Sequence, residues 1–583
     1  MIDVRKLWRQ AQRRCLVRCR PATAIYLAAA ILAIAGAPSF AQTPCSSAAL
    51  GEQQIRQAYQ QKDWAAVLRL AEQDRDRSAD ADYDYGMALA HLGRWPAART
   101  ALLEGRRACP RQKRFPIELA GVAFEQKHYP EAAAWLRRGL KLDPHDEYAN
   151  NFAGTVYYLM GNLPAALQSW NRIGKPAIGS LNFDPQLRIR RLLLDRAFTF
   201  APASLLRESQ FETTESRVDG LGIFSAHNIV LNARPDGSFD AQFHAIERDG
   251  FGAPLAAVVS TLSGLPYQTI YPSYDNIGRS AMNIESLLRW DSQKRRVWAS
   301  LSAPLRDLPQ HRWDFSADLR DENWAIRRSF VGAAPVLASL NLERQAGAAS
   351  VHSFTSGRFN WSSGAEFSHR SYRDVVDGSA LTSNLVIPGA SLAFLASAGG
   401  KPLDIPAHRF VLTTSADSAT GRLWSSPPHL FEKMQGSALA QWFPQAQVNT
   451  WEVTQRLRAG ALLGTPPFDE LFMLGVERDN DLWLRGHIGT RDGRKGSSPL
   501  GTRYLLANSD LYRRVYNNGL IGIAAGPLFD VGRMAAPTAG LSPNQWLFDT
   551  GIEARVTVLG TNVILAWGRD LRTGNNAFYG TAQ

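Results

Sequence analysis

The residues best suited to chemistry lie near the C-terminal end of the chain, in the run Leu484-Arg485-Gly486-His487. A guanidinium group is a planar fork that can hold two carboxylates at once, so Arg485 could pin an otherwise mobile loop inside a polar channel. Gly486 beside it allows the backbone to turn sharply. These residue types indicate electrostatic positioning, in which no covalent bond is made or broken.

Motifs of enzymatic catalysis do not occur in the sequence. The 11 histidines show no His-Glu-x-x-His spacing, there is no Gly-x-Ser-x-Gly run, and the stretch 489–498 lacks the Gly-Lys-Ser/Thr ending of a phosphate-binding loop. We therefore expect the chain not to be an enzyme and to use no cofactor and no metal.

Residues 1–41 are typical of a secretory signal peptide. Four arginines between positions 13 and 20 precede an apolar run at 22–37, and Ser39-Phe40-Ala41 offers a cleavage site. A membrane-anchor helix is the weaker alternative, because the run is short for a bilayer. Cleavage would remove seven basic residues and one acid and lower the formal net charge from +12 to about +6. Such a charge is mild for a chain of this length, so nucleic acid is not expected as a partner.

Two cysteines, Cys45 and Cys109, would remain after cleavage. An exported chain enters an oxidising compartment, where these two can form a disulfide. The sequence leaves open whether they do. A zinc site is not expected at either cysteine, because no second pair of ligands stands nearby.

Residues 42–180 contain a repeat. Three runs follow one another at steps of 34 residues: Trp95-Pro96-Ala97-Ala98, Tyr129-Pro130-Glu131-Ala132 and Leu163-Pro164-Ala165-Ala166. Small residues at 86, 120 and 154 share this step and would let the first helix of each pair pack closely against the next helix. The period is typical of tetratricopeptide repeats, which form an α-helical solenoid with a groove for a peptide or protein partner. A purely structural spacer is the alternative.

The segment that follows changes character. We expect a strand at 192–197, a helix at 203–219 and two alternating strands at 229–232 and 239–248. This order resembles one polypeptide-transport-associated (POTRA) domain, a small α/β module, over residues 184–249. The strand edges of such a module would offer pairing sites to an extended client segment.

From about residue 250 to the end, short segments alternate apolar and polar residues, as in 313–320, 451–459 and 552–558. Such alternation can place one face against lipid and the other toward a polar lumen, although a soluble sandwich shows it too. Export, length and the many aromatic residues favour an antiparallel transmembrane β-barrel over 250–583.

Three motifs occur in an order that resembles the last third of the outer-membrane surface-antigen barrels: 472–476, 484–487 and Leu528-Phe529-Asp530-Val531-Gly532. This superfamily contains outer-membrane protein-assembly and two-partner-secretion transporters. The resemblance implies a barrel of sixteen strands with a loop folded back into the lumen. It also implies that Arg485 pairs with acids of neighbouring strands, which match Asp510 and Asp530. His487 stands where the family usually has an aromatic residue.

The function implied by this resemblance is the insertion or translocation of polypeptides at the outer membrane. The repeats and the POTRA-like domain would lie in the periplasm and capture client polypeptides, and the repeats are also candidates for binding accessory proteins. Outer-membrane lipid would surround the barrel, and clients would enter at the seam between its first and last strands, with Val563, Leu565 and Trp567 on one lip. The rival prediction is a polysaccharide-export porin whose repeats scaffold a synthase complex.

Overall fold

The computed structural model describes residues 50–583 except 75, 252–263, 328–334, 377–380, 382–383, 447–448, 519–520, 539, 559–560 and 583. The expected signal peptide and Cys45 lie outside the described residues. The chain divides into two compact units, 1–122 and 123–583. No helix among the described residues is long and apolar enough to cross a membrane.

The first unit is helical. Its helices are α1 (Leu50–Gln60), α2 (Trp64–Gln73), α3 (Ala79–His91), α4 (Trp95–Ala108) and the first part of α5 (Arg114–Glu125). Asp63 and Ser78 cap α2 and α3, since their side chains accept hydrogen bonds from backbone N–H groups of the first turn. Cys109 is disulfide-bonded, and its partner lies outside the described residues. The pairing with Cys45 stays a prediction.

The second unit begins with three more helices of the same pattern, α6 (Tyr129–Leu142), α7 (Glu147–Leu159) and α8 (Leu163–Trp170). The helices α4, α6 and α8 each carry proline in the first turn and start 34 residues apart. A Cβ on Gly86 would lie 2.8 Å from Leu102, and one on Gly154 would lie 2.3 Å from the Trp170 ring. The predicted helical repeat, with small residues where paired helices touch, is confirmed.

A small α/β module follows the helices. It consists of β1 (Ala177–Phe183), α9 (Arg191–Ala197), β2 (Ser204–Leu205), α10 (Glu208–Gly220), β3 (Phe224–Ala233) and β4 (Phe239–Glu247). The sheet has the order β2-β1-β4-β3, with β1 parallel to β4 and β3 antiparallel to it. Its core is apolar and includes the fully buried Phe243.

One predicted strand of this module is a helix. The stretch 192–197 was expected to be a strand but belongs to α9, which buries Leu193, Leu194 and Ala197 on one face. An apolar run of this length suits either element. The sheet also begins with β1, which lies before the expected domain boundary at residue 184.

The described residues from Thr269 to Ala582 form a closed barrel, in which consecutive wall strands pair antiparallel. Its wall strands are β5 (Thr269–Ile270), β6 (Ser273–Ile277), β7 (Met282–Trp290), β8 (Lys294–Leu305), β9 (Leu308–Arg327), β10 (Val336–Ser353), β11 (Phe359–Val376), β12 (Gly389–Ile405), β13 (Phe410–Trp424), β14 (His429–Trp442) and β15 (Trp451–Gly464). Four short strands follow, β16 (Phe472–Met473), β17 (Thr490–Arg491), β18 (Arg494–Lys495) and β19 (Leu500–Gly501). The wall continues with β20 (Arg503–Asn517), β21 (Ile521–Ala535), β22 (Trp546–Val558), β23 (Thr561–Asp570) and β24 (Asn576–Ala582).

The wall contains fifteen strand positions in the described part of the chain, if β5 and β6 count as one because both pair with β7. Sixteen strands therefore stays a prediction, whereas the antiparallel barrel is confirmed. On β9, Phe315 and Leu319 are exposed and Asp318 between them is buried. The barrel is thus apolar outside and polar inside, as in transmembrane barrels.

The α/β module and α8 contact one end of the barrel. Arg312 at the start of β9 donates to the carbonyl of Leu221, 2.9 Å away. Glu212 of α10 pairs with Arg358 at 3.0 Å, and Asn162 before α8 donates to the carbonyl of Pro406 at 2.8 Å. This end carries the short turns between β8 and β9, β10 and β11, and β12 and β13.

We predict that Gly154→Ala destabilises the helical repeats by about 1–3 kcal/mol, because the new methyl group would overlap the Trp170 ring. Thermal unfolding of the full-length protein, followed by far-UV circular dichroism, measures the change. Gly121→Ala is the matched control, since the nearest atom to its Cβ would be 3.9 Å away. Equal loss of helical signal in both variants would contradict the packing described here.

Candidate functional site in the barrel lumen

The segment between β15 and β20, residues 465–502, is called the lumen segment below. It contacts two opposite walls of the barrel: Lys495 pairs with Glu322 of β9 at 2.6 Å, and Arg485 pairs with Asp530 of β21 at 2.6 Å. Around the closed barrel, several strands separate β9 from β21 in both directions. The segment therefore crosses the interior.

Arg485 is the most heavily paired residue of the lumen segment. Its Nη2 lies 2.6 Å from Asp530 Oδ1, and its Nη1 lies 2.6 Å from Asp510 Oδ1 and 2.9 Å from Glu553 Oε2. The arginine is 4% exposed and Asp530 is fully buried. The planar guanidinium thus connects β20, β21 and β22 through three carboxylates, a geometry that arginine supports and lysine does not.

Neutral donors complete this arrangement. The hydroxyl of Tyr579 donates to Glu553 Oε2 at 3.1 Å, and Tyr512 donates to the other oxygen of the same carboxylate. Asn508 Nδ2 donates to Asp530 Oδ1 at 2.7 Å. Because the buried carboxylates keep hydrogen bonds in addition to the arginine, their desolvation is largely offset.

Three aspartates form a row across neighbouring strands of the same wall. Asp530 of β21 pairs in register with Asp549 of β22, which pairs in register with Asp570 of β23. Like charges directly opposite each other destabilise a sheet. The lumen segment places Arg485 against the first aspartate and His487 against the other two, with His487 Nδ1 at 3.1 Å from Asp549 Oδ2.

Two glycines allow this close approach. A Cβ on Gly486 would lie 2.5 Å from the backbone nitrogen of Asp570 and 2.7 Å from the Asp549 carboxylate. A Cβ on Gly568 of β23 would lie 2.1 Å from the carbonyl oxygen of Arg485. Gly486 has no positive φ. The site therefore requires that residue 486 has no side chain. It does not require the sharp turn that the sequence predicts at Gly486.

A second anchor joins the lumen segment to β7 and β8. The buried Asp479 lies 2.6 Å from Arg289 Nη1, 2.7 Å from Arg296 Nη1 and 2.8 Å from Lys495 Nζ. Glu477 adds a pair with Lys294 at 3.3 Å. Arg289 and Arg296 belong to the wall and Lys495 to the segment, so the two arginines hold Asp479 to the wall opposite Asp530.

A third anchor lies at the start of the segment. Asp469 is 2.9 Å from Arg370 Nε and 3.1 Å from Arg344 Nε, and Glu470 is 3.2 Å from Lys433 Nζ. Arg370 is fully buried. These contacts reach β10, β11 and β14, so each of the three anchors uses a different part of the wall.

Apolar contacts support the ion pairs. Four residues of the segment pack on the inner face of β15 and β20–β22, namely Phe472, Leu474, Leu482 and Leu484. All four are buried. Burying a leucine or phenylalanine side chain contributes about 1.5–3 kcal/mol, so this cluster adds substantially to the anchoring.

The structure brings the sequence-predicted residues Arg485, Gly486, Asp510 and Asp530 together. It adds Glu553, which sequence reasoning missed because its position opposite Arg485 depends on the strand register. The second and third anchors were also missed. The sequence signal that could have indicated these two anchors is the group of acidic residues between two predicted strands, at 469, 470, 477 and 479.

The seam prediction needs a correction. The strand β23, which carries Val563, Leu565 and Trp567, is paired with β22 on one edge and with β24 on the other. The last strand is therefore β24, and the barrel closes between it and the two-residue β5. The sequence misplaced the seam because the alternation in β24 is too short to stand out.

The lumen segment contacts both sides of this seam. Arg478 stacks over the Tyr267 ring, 3.6 Å from its centroid, and donates to the Tyr271 hydroxyl at 2.8 Å. Trp483 packs edge-on against Tyr579 of β24, with ring centroids 5.0 Å apart. The segment thus bridges the closing strands from inside.

No family model and no curated protein matches the chain. Among solved structures, it is similar to BamA from Haemophilus ducreyi lacking POTRA domains 1–3, with 10% identity and a TM-score of 0.40 over 70% of this chain and 84% of that one. It is also similar to CdiB from Escherichia coli, with 13% identity and a TM-score of 0.46 over 70% and 75%. The structure MamA MSR-1 C2 matches 21% of this chain and 72% of its own at 14% identity and a TM-score of 0.20.

We predict that Asp530→Asn destabilises the folded barrel by about 3–5 kcal/mol. The substitution removes the carboxylate whose two oxygens both accept hydrogen bonds from the buried Arg485. Urea unfolding of the purified protein in detergent measures the change. Asp481→Asn is the matched control, since the Asp481 side chain lies on the same segment and is 86% exposed. Unchanged stability of Asp530→Asn would show that the ion pair does not hold the segment.

Proposed function

We propose that this protein is an outer-membrane barrel that inserts or translocates polypeptides, with its helical repeats and α/β module in the periplasm. The observation that carries the proposal is the lumen segment, which crosses the barrel and is anchored to three parts of its wall. A segment placed this way keeps the resting barrel closed while its attachment to the seam couples it to opening.

The ends of the barrel support this orientation. Outer-membrane barrels have short periplasmic turns and longer extracellular loops. The α/β module contacts the end with the short turns, through Arg312 and Glu212. At the other end, a longer connection joins β11 to β12, and the lumen segment leaves β15 and returns to β20. The module would therefore face the periplasm, where unfolded clients arrive.

The α/β module offers an edge for client capture. The sheet order places β3 (Phe224–Ala233) at one edge, next to β4. A ten-residue edge strand is long enough to pair with an extended client segment through backbone hydrogen bonds. The groove of the helical repeats would supply a second, less directional contact.

Client entry would occur between β24 and β5. Within the described part of the chain, the closing strand β5 spans only two residues, so it can contribute few backbone hydrogen bonds to the seam. The contacts of Arg478 and Trp483 with residues on either side of the seam would have to break or shift. Arg485 then acts as a structural and gating residue. The free energy would come from folding and burial of the client, since the chain carries no phosphate-binding loop.

The lumen argues against the rival, a polysaccharide-export porin. A passive channel has no need of a segment across its interior. Asp479, an acid that could bind sugar hydroxyls, is instead engaged with Arg289, Arg296 and Lys495. Transport of polypeptides accounts for these features better.

We predict that depletion of the protein from its native cell removes particular outer-membrane or secreted proteins and leaves surface polysaccharide unchanged. Re-expressed Arg485→Ala should fail to restore them, because the lumen segment loses its contacts to β20–β22. Asp481→Asn should restore them. Quantitative proteomics of the outer membrane and medium, with a parallel polysaccharide assay, provides the measurement. Loss of polysaccharide with an intact proteome would contradict the proposal and support the export porin.

A further inference from the structure

A cavity of about 780 Å³ lies at the end of the barrel that carries the short turns. The turn between α7 and α8 forms one side of it, and the turn between β12 and β13 with the adjoining ends of β14 and β20 forms the other. Asn162 of the first turn donates to the carbonyl of Pro406 in the second, 2.8 Å away. Ligand sites in proteins commonly have volumes of roughly 300–1,000 Å³. A cavity of ligand-site size thus lies where the helical repeats meet the barrel.

The arginine that β20 contributes to the cavity belongs to the inner face of the barrel. Arg514 lines the cavity, and Tyr512, two residues earlier, is buried and donates to Glu553 in the lumen. Residues two apart on a strand share a face, so Arg514 also faces inward. Arg513 between them faces outward and lies over the Trp451 ring, 5.6 Å from its centroid. The cavity is therefore at the mouth of the lumen and not on the lipid-facing surface.

Cations predominate among the charged side chains of the cavity. Of those that the structure places on its lining, three are cations, Lys401, Arg409 and Arg514, and one is an acid, Asp404. Burial, and then the charge of Arg514, lower the pKa of Arg409, which lies in the turn between β12 and β13. The two guanidinium groups are thus close enough to repel each other, and an anion between them would offset this repulsion.

Contacts within the barrel turns orient Arg409. Its Nη1 donates to the carbonyl of Gln445 at 2.8 Å, and its Nη2 donates to Asn449. The guanidinium carbon lies 5.1 Å from the centroid of the Phe443 ring. The residue has a φ of +53°, which is uncommon for a residue other than glycine. A guanidinium held in this way loses little conformational freedom when it binds a carboxylate.

Further cations lie beside the same turn on the side of the helical repeats. Burial, and then the charges of Arg137 and Lys141 of α6, lower the pKa of His408. Arg137 also donates to the Tyr157 hydroxyl at 3.1 Å, which keeps its side chain on this side of the repeats. The basic surface therefore extends from the cavity onto the helices next to it.

We propose that this cavity binds acidic segments of client polypeptides as they pass from the helical repeats to the barrel lumen. The inference rests on the proposed transport of polypeptides and names the class of client segment that the mouth recognises. Carboxylates suit the cavity because a guanidinium group can donate two parallel hydrogen bonds to one carboxylate. An anionic lipid headgroup suits it less well, since Arg514 belongs to the inner face of the wall.

The test uses the full-length protein in an uncharged detergent and two fluorescein-labelled peptides. One peptide alternates glutamate and serine, and the other, of equal length, has glutamine in place of glutamate. Fluorescence anisotropy measures the dissociation constants. The glutamate peptide should bind at least ~10-fold more tightly than the glutamine peptide, and this difference should shrink as the salt concentration rises.

Two neighbouring arginines provide the variant and its matched control. Arg514→Gln should weaken binding of the glutamate peptide by about 10-fold, as expected for the loss of one charge-assisted hydrogen bond. Arg513→Gln removes the same charge from the outer face of the same strand and should leave binding unchanged. If circular dichroism shows that Arg514→Gln does not fold, Lys401→Gln, at an exposed residue of the cavity, replaces it and should weaken binding.

Three results would overturn the inference. Equal binding of the two peptides would show that the mouth does not recognise negative charge. Equal loss of binding in Arg513→Gln and Arg514→Gln would place the peptide outside the cavity. Binding of phosphatidylglycerol that depends on Arg514, with no binding of the glutamate peptide, would assign the cavity to a lipid headgroup. Because the assay requires no transport, any of these results combined with loss of client proteins on depletion would leave the proposed function standing.

Discussion

The structure depends on how the barrel neutralises the row of aspartates on β21, β22 and β23. Asp530, Asp549 and Asp570 are buried and stand in register on adjacent strands. Their charges would repel each other and carry a large desolvation cost if nothing compensated them. Arg485 and His487 of the lumen segment lie against this row. The wall and the segment therefore stabilise each other, and neither is complete alone.

The other anchors reverse this arrangement of charge. On the opposite wall the strands supply cations and the segment supplies the acids, as with Asp479 between Arg289 and Arg296. The acids of the segment face β7, β8, β10, β11 and β14, and Arg485 and His487 face β20–β23, whereas Lys495 adds a pair of the opposite polarity with Glu322 of β9. The apolar cluster around Leu474 and Leu484 adds contacts that do not depend on charge. Because the same segment contacts both sides of the seam, barrel opening and segment movement are coupled.

Sequence reasoning succeeded where the signal is local and periodic. The 34-residue step identified the helical repeats, and alternation identified the barrel. It failed at α9, where an apolar run of strand length is a short helix, and at the seam, where the last strand is brief. The partners of Arg485 were foreseen in part through a family resemblance. Glu553, Asp549 and Asp570 were not, because the closed barrel and its register bring them together from distant positions in the chain.

The most direct test of the account is hydrogen–deuterium exchange of the intact protein in detergent, read out on peptides covering 474–489. Within this stretch, backbone N–H groups of Leu474, Gly475, Val476 and Gly489 donate to carbonyls, and those of Arg485 and Gly486 donate to buried aspartates. We expect slow exchange in these peptides, comparable to that of β20–β22. Exchange as fast as in an exposed loop would contradict a segment folded across the lumen.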